Sequence, residues 1–69
     1  MASAYPQERR IMGVWIFDLA DADAARQLYA DLPAPLKTDA ELRLSFGSGH
    51  LLVTSQAGAD WVRERAMAA

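Results

Sequence analysis

A single α+β domain, with a three-stranded sheet and two helices in the order β-α-β-β-α, is the fold this sequence predicts. Three observations predict it. An Ile-, Val-, Trp- and Phe-rich run spans Arg9 to Leu19. A strict apolar-polar alternation follows over Glu41 to Phe46, with a second apolar run after it. Two further stretches repeat their apolar residues at helical spacing.

Arg9 to Leu19 (RRIMGVWIFDL) is the strongest strand signal, because β-branched and aromatic side chains suit a pleated, half-buried surface. Ahead of it, residues 1–8 (MASAYPQE) read as a flexible lead-in, with Pro6 discouraging regular structure, which leaves 9–69 as the domain. After the strand, Asp21 suits a helix N-cap, where a carboxylate accepts from orphan amides. Asp23 falls in the first turn, where the helix dipole favours negative charge. Ala25, Leu28, Tyr29 and Leu32 line one helix face, and Pro33 stops the helix. Residues 33–40 (PAPLKTDA) read as a loop stiffened by two prolines.

Glu41 to Phe46 alternates, with Leu42, Leu44 and Phe46 on one face. Gly47-Ser48-Gly49 reads as the hairpin turn, and His50 to Thr54 as the returning strand. Thr54 or Ser55 caps a second helix running to about Ala68, with an apolar stripe of Trp61, Val62 and Ala66. Arg63 and Arg65 suit its C-terminal end.

The first strand is apolar on both faces. By parity Ile11, Gly13, Trp15, Phe17 and Leu19 point one way, and Met12, Val14, Ile16 and Asp18 the other. The compact set, Met12, Val14 and Ile16, is expected to meet the helices together with Leu42, Leu44 and Phe46. Trp15 and Phe17 then fall on the opposite face, beside Arg43, His50, Leu52 or Thr54, the parity of the third strand being open; there they either form an interface or are core beneath the second helix or the N-terminal segment. The first half of the order is the split βαβ unit of ferredoxin-like folds, whose fourth strand would lie next to the first. No strand signal follows the second helix, so an apolar edge is expected there.

Size sharpens this reading. A chain of 69 residues buries only about 60% of its unfolded surface, so small scaffolds often lean on a staple or a partner. There is no cysteine, which removes disulfides and thiolate metal sites and fits a cytoplasmic location. One histidine cannot anchor a structural zinc. Oligomerisation remains, and a homodimer is expected. The net charge of −2 argues against nucleic acid as a partner. No apolar run reaches the ~18 residues of a membrane span, and the first ten residues hold no signal-peptide core.

No motif names a reaction, and no catalytic residue, metal ligand or cofactor is assigned. Asp18, Asp21 and Asp23 sit at a strand-to-helix junction that could hold a divalent cation, but capping explains Asp21 and Asp23. His50 has Ser48, Ser55 or Asp18 as conceivable partners. A nucleophile also needs a held base and an oxyanion site, for which a short chain offers little room.

The stretch Trp15-Ile-Phe-Asp18 with Arg26-Gln-Leu28 resembles the last strand and helix of EVH1-like decapping-activator domains; the hairpin that follows does not belong there. The element order is similar to ACT and SPOR domains, a likeness of topology without a diagnostic motif. The functional expectation is a small non-catalytic protein–protein interaction module that self-associates through the first strand and its aromatic face. Its contact residues are Trp15, Phe17, Arg43, His50 and Leu52. The alternative is a small-ligand-binding or regulatory domain, or a minor enzyme, with a pocket at the dimer interface near His50 and Arg43.

Overall fold

The computed structural model describes residues 7–66. Its elements are β1 (Gln7–Ile11), β2 (Val14–Leu19), α1 (Ala22–Asp31), α2 (Ala34–Lys37), β3 (Ala40–Ser45), β4 (Ser48–Val53) and α3 (Gln56–Ala66). The strands form one antiparallel sheet in the order β1-β2-β4-β3. The chain is α+β, but among the described residues the sheet has four strands rather than three.

The extra strand comes from the run at 9–19 itself. Met12 and Gly13 break that run with φ of 50° and 81°. Two consecutive positive-φ residues make the tight turn whose twist matches a hairpin. The chain therefore folds back, and Gln7 to Ile11 pairs with Asp18 to Val14. The place expected to stand empty beside the first strand is filled from upstream, so β2 is an interior strand without a free edge. Gln7 and Glu8, read as part of the lead-in, belong to β1; residues 1–6 of that lead-in lie outside the described residues.

The second hairpin turns one step earlier than expected. Phe46 (φ 35°) and Gly47 (φ 87°) make the turn, while Ser48 and Gly49 already belong to β4. This strand position has to be glycine because α1 crosses there: a Cβ on Gly49 would sit 2.4 Å from Ala25 Cβ.

Helix α1 forms as its signals dictate. The Asp21 side chain accepts from the Asp23 amide at 3.0 Å, and the helix closes at Leu32, just before Pro33. Ala25 and Leu32 are buried, with Leu28 and Tyr29 packed on the core. The proline-rich segment contains the single turn α2 instead of being wholly loop. Ser55 caps α3 by accepting from the Gly58 amide at 3.1 Å. The stretch beyond Ala66 expected to continue this helix lies outside the described residues.

All the helices among the described residues lie on one side of the sheet. The core joins Trp15 and Phe17 of β2, Leu51 and Val53 of β4, Leu32, and Ala59 and Val62 of α3. The parity expected for β2 is thus reversed: Trp15, Phe17 and Leu19 face the helices, and Val14 and Ile16 face outward. Buried area decides this. Each large aromatic removes about 150–250 Å² from water, more than Val or Ile offers. The other face also carries Asp18, whose charge would be costly beneath a helix layer. Leu42 is half-buried on the helix side, but Leu44 is 44% exposed and Phe46 stands fully in solvent at the turn, so the expected stripe reaches the core only at Leu42.

Candidate interaction surface

The face of the sheet away from the helices follows from the registers. Ile16 pairs with Leu52 and Asp18 with His50 across β2 and β4. Glu41 lies opposite Leu52, and Arg43 opposite His50. On the other side of β2, Arg9 lies opposite Ile16 and Ile11 opposite Val14. One end of the face is therefore apolar, with Ile11, Val14, Ile16 and Leu52. Its middle is a charged row crossing the strands.

Asp18 is the hub of that row. It is 7% exposed although it lies on the uncovered face, because Arg9 and His50 close over it. Arg9 Nε stands 3.1 Å from Asp18 Oδ2, and His50 Nε2 stands 3.0 Å from Asp18 Oδ1. A carboxylate on one ring nitrogen fixes the orientation of an imidazole and leaves the other nitrogen free to face outward. Beyond His50, the Arg43 guanidinium bonds Glu41 on its own strand. This resolves the aspartates singled out at the strand-to-helix junction: Asp18 serves the sheet face, Asp21 caps α1, and Asp23 pairs with Arg26 at 2.8 Å. Among the described residues no three His, Asp or Glu side chains converge as metal ligands.

Of the five residues expected at the contact surface, Arg43, His50 and Leu52 lie together on this face. Trp15 and Phe17 do not; they are core, and Arg10 stacks over the Trp15 ring at 4.4 Å from its edge of the sheet. Sequence reasoning missed Arg9, Val14 and Ile16 on the open side. For Val14 and Ile16 the signal was present in Asp18, which shares their parity and marks that face as the wet one; Arg9 reaches it only through the β1–β2 hairpin.

Chemically the surface is a flat array with an oriented imidazole. The Ser48 hydroxyl donates to the Ser45 carbonyl at 2.9 Å, so it is engaged with the backbone. A shallow hollow of about 270 Å³ lies at the apolar end, lined by Val14, Asp39, Glu41, Leu52 and Thr54 among others. Ligand pockets usually run from about 300 Å³ upward and are concave. The aromatic residues that would stack bases on an open sheet lie on the opposite side. No helix is long and apolar enough to cross a membrane among the described residues.

Away from this face, β1 is tied to α3. Arg63 donates to both Glu8 oxygens, from Nε at 2.7 Å and Nη2 at 2.8 Å, and from Nη1 to Asp60 at 2.7 Å. The Arg63 hydrogen bonds hold the Glu8 carboxyl below its ordinary value, against the opposing push of partial burial. The same bonds keep Arg63 charged.

No family model, curated protein or solved structure shows significant similarity to the chain.

Proposed function

We propose that this chain is a small non-catalytic protein–protein interaction module that self-associates through the uncovered side of its sheet. The observation that carries this reading is the one-sided layer structure. Among the described residues helices cover only one face, and the other presents Ile11 (50% exposed), Val14, Ile16 and Leu52 beside a charged row. An antiparallel sheet can leave one face in water, but a face with an apolar end gains by being covered, and a chain this small has little core to spare. The self-association first placed on Trp15 and Phe17 therefore moves to the reverse side of the same strand, where Arg43, His50 and Leu52 remain contact residues. The strand order supports a ferredoxin-like arrangement whose outer strand comes from the N-terminal side. A cysteine-free chain fits the reducing cytoplasm.

Sedimentation equilibrium from micromolar to millimolar concentration tests the proposal. A mass above the 7.6 kDa of the single chain is expected. A 7.6 kDa species throughout that range would overturn it.

The second reading, a small-ligand or regulatory site formed between copies, is favoured by His50 held against Asp18 on the same face of the sheet as the hollow. It predicts that imidazole resonances of His50 shift on adding a small anionic ligand only where the protein is oligomeric.

A further inference from the structure

Resting on the self-association reading but placing its contact at the sheet edge bordering the open face rather than on that face, we infer that the partner is a second copy of this chain, and that it pairs antiparallel along the edge of β3 left unpaired among the described residues, about a two-fold axis at Leu42. The product is a continuous eight-stranded sheet with helices on one side, four strands coming from each copy.

The inference starts from which backbone groups of β3 are free. Thr54 donates its amide to the Asp39 carbonyl at 2.9 Å, so position 39 faces β4. Hydrogen-bonding direction alternates along an antiparallel strand. Positions 41, 43 and 45 then also face β4, and the amides and carbonyls of Ala40, Leu42 and Leu44 point outward from the sheet edge. An unpaired row of this kind is a template for another strand.

Side-chain charge then selects the register. Antiparallel pairing needs outward-facing residues opposite one another, so a two-fold axis falls on one residue of β3. An axis on Glu41 sets that carboxylate against its own copy, and an axis on Arg43 does the same for two guanidinium groups. An axis on Leu42 places Glu41 opposite the partner's Arg43 and Arg43 opposite the partner's Glu41. These are the closely spaced non-hydrogen-bonded pairs, with Cα atoms about 4.5 Å apart. On the helix side the same axis sets Leu42 against its copy and the 44%-exposed Leu44 against the small Ala40. The two open faces merge into one surface.

The other edge is less suited to this pairing. β1 carries Glu8, Arg9 and Arg10 in succession: an axis on Glu8 or Arg10 sets like charges face to face, and an axis on Arg9 matches Glu8 with the partner's Arg10 only by setting Arg9 against its own copy. Glu8 is also held by Arg63, and Arg10 covers Trp15. Consecutive charges on an edge strand are a usual device against pairing.

The experiment is sedimentation equilibrium of the full chain as wild type, Glu41→Arg, Arg43→Glu, an equimolar mixture of those two, and the double exchange. Both positions are exposed, so folding is expected to survive, with circular dichroism as the check. Each single reversal is expected to raise the dimer dissociation constant at least tenfold. The mixture and the double exchange restore it, because each returns opposite charges to the facing positions. Amide exchange at Leu42 and Leu44 of the wild type is expected to slow with rising concentration. Single reversals that dimerise like wild type, or edge amides indifferent to concentration, would overturn the β3 edge. If the wild type still dimerises in that case and Ile16→Lys abolishes it, self-association stands on the open face instead. A wild type that stays monomeric overturns both readings.

Discussion

Two of the described residues adopt backbone conformations their side chains disfavour. Met12 and Phe46 have φ of 50° and 35°, and both stand fully in solvent. The left-handed region costs a residue with a Cβ about 1–2 kcal/mol, and asparagine or glycine is the usual occupant of this turn position. Phe46 recovers none of that cost by burial within the chain. Phe46→Asn is therefore expected to stabilise the monomer by about 0.5–1 kcal/mol in urea denaturation. Gly49 is the reverse case. The 2.4 Å approach to Ala25 Cβ means that Gly49→Ala has to push α1 off β4, and a loss of about 1–3 kcal/mol is expected from the same titration. A change below about 0.5 kcal/mol would show that the helix shifts freely.

Among the elements, β1 and α3 are the pair whose attachment depends on charge. Glu8 has its proton affinity lowered in the folded chain by the Arg63 hydrogen bonds. The unfolded chain therefore binds the Glu8 proton more readily, and the stability from this pair is fully present above the unfolded carboxylate range. It is lost as pH falls through the folded value. Wild type is expected to lose stability faster than Glu8→Gln as pH is lowered from 6 toward 3, read from melting temperatures at each pH; parallel curves would contradict the coupling. The elements also show what was legible beforehand. Helix α1 was readable end to end because its cap, its face and Pro33 are local signals. The β1–β2 hairpin was not, because Gly13 sits in an unbroken apolar run. A turn signal that ordinarily stands between strands was read as an interior residue of one. The Phe46-Gly47 turn was displaced by one residue for a related reason: Gly49 looks like a turn glycine, but its small size serves helix packing.

At the scale of the molecule, a thin core on one side of a sheet links folding to association. If copies pair through the β3 edge, each dimer stabilises the folded chain by mass action. The melting temperature of the wild type is expected to rise with protein concentration, while that of Glu41→Arg stays flat over the same range. A wild-type melting temperature independent of concentration would separate the domain's stability from its assembly.

The sequence by itself determined the α+β class, the capped helix with its Ala25-Leu28-Tyr29-Leu32 face, and the alternation of β3. All rest on periods and caps that a few neighbouring residues define. Only the tertiary structure decided that Trp15 and Phe17 go beneath the helices, that residues 7–11 complete the sheet, and that Arg9 and His50 converge on Asp18. When both faces of a strand are apolar, alternation names two sets and prefers neither. The choice falls to the total area that distant helices can cover, and that quantity exists only once the chain has met itself.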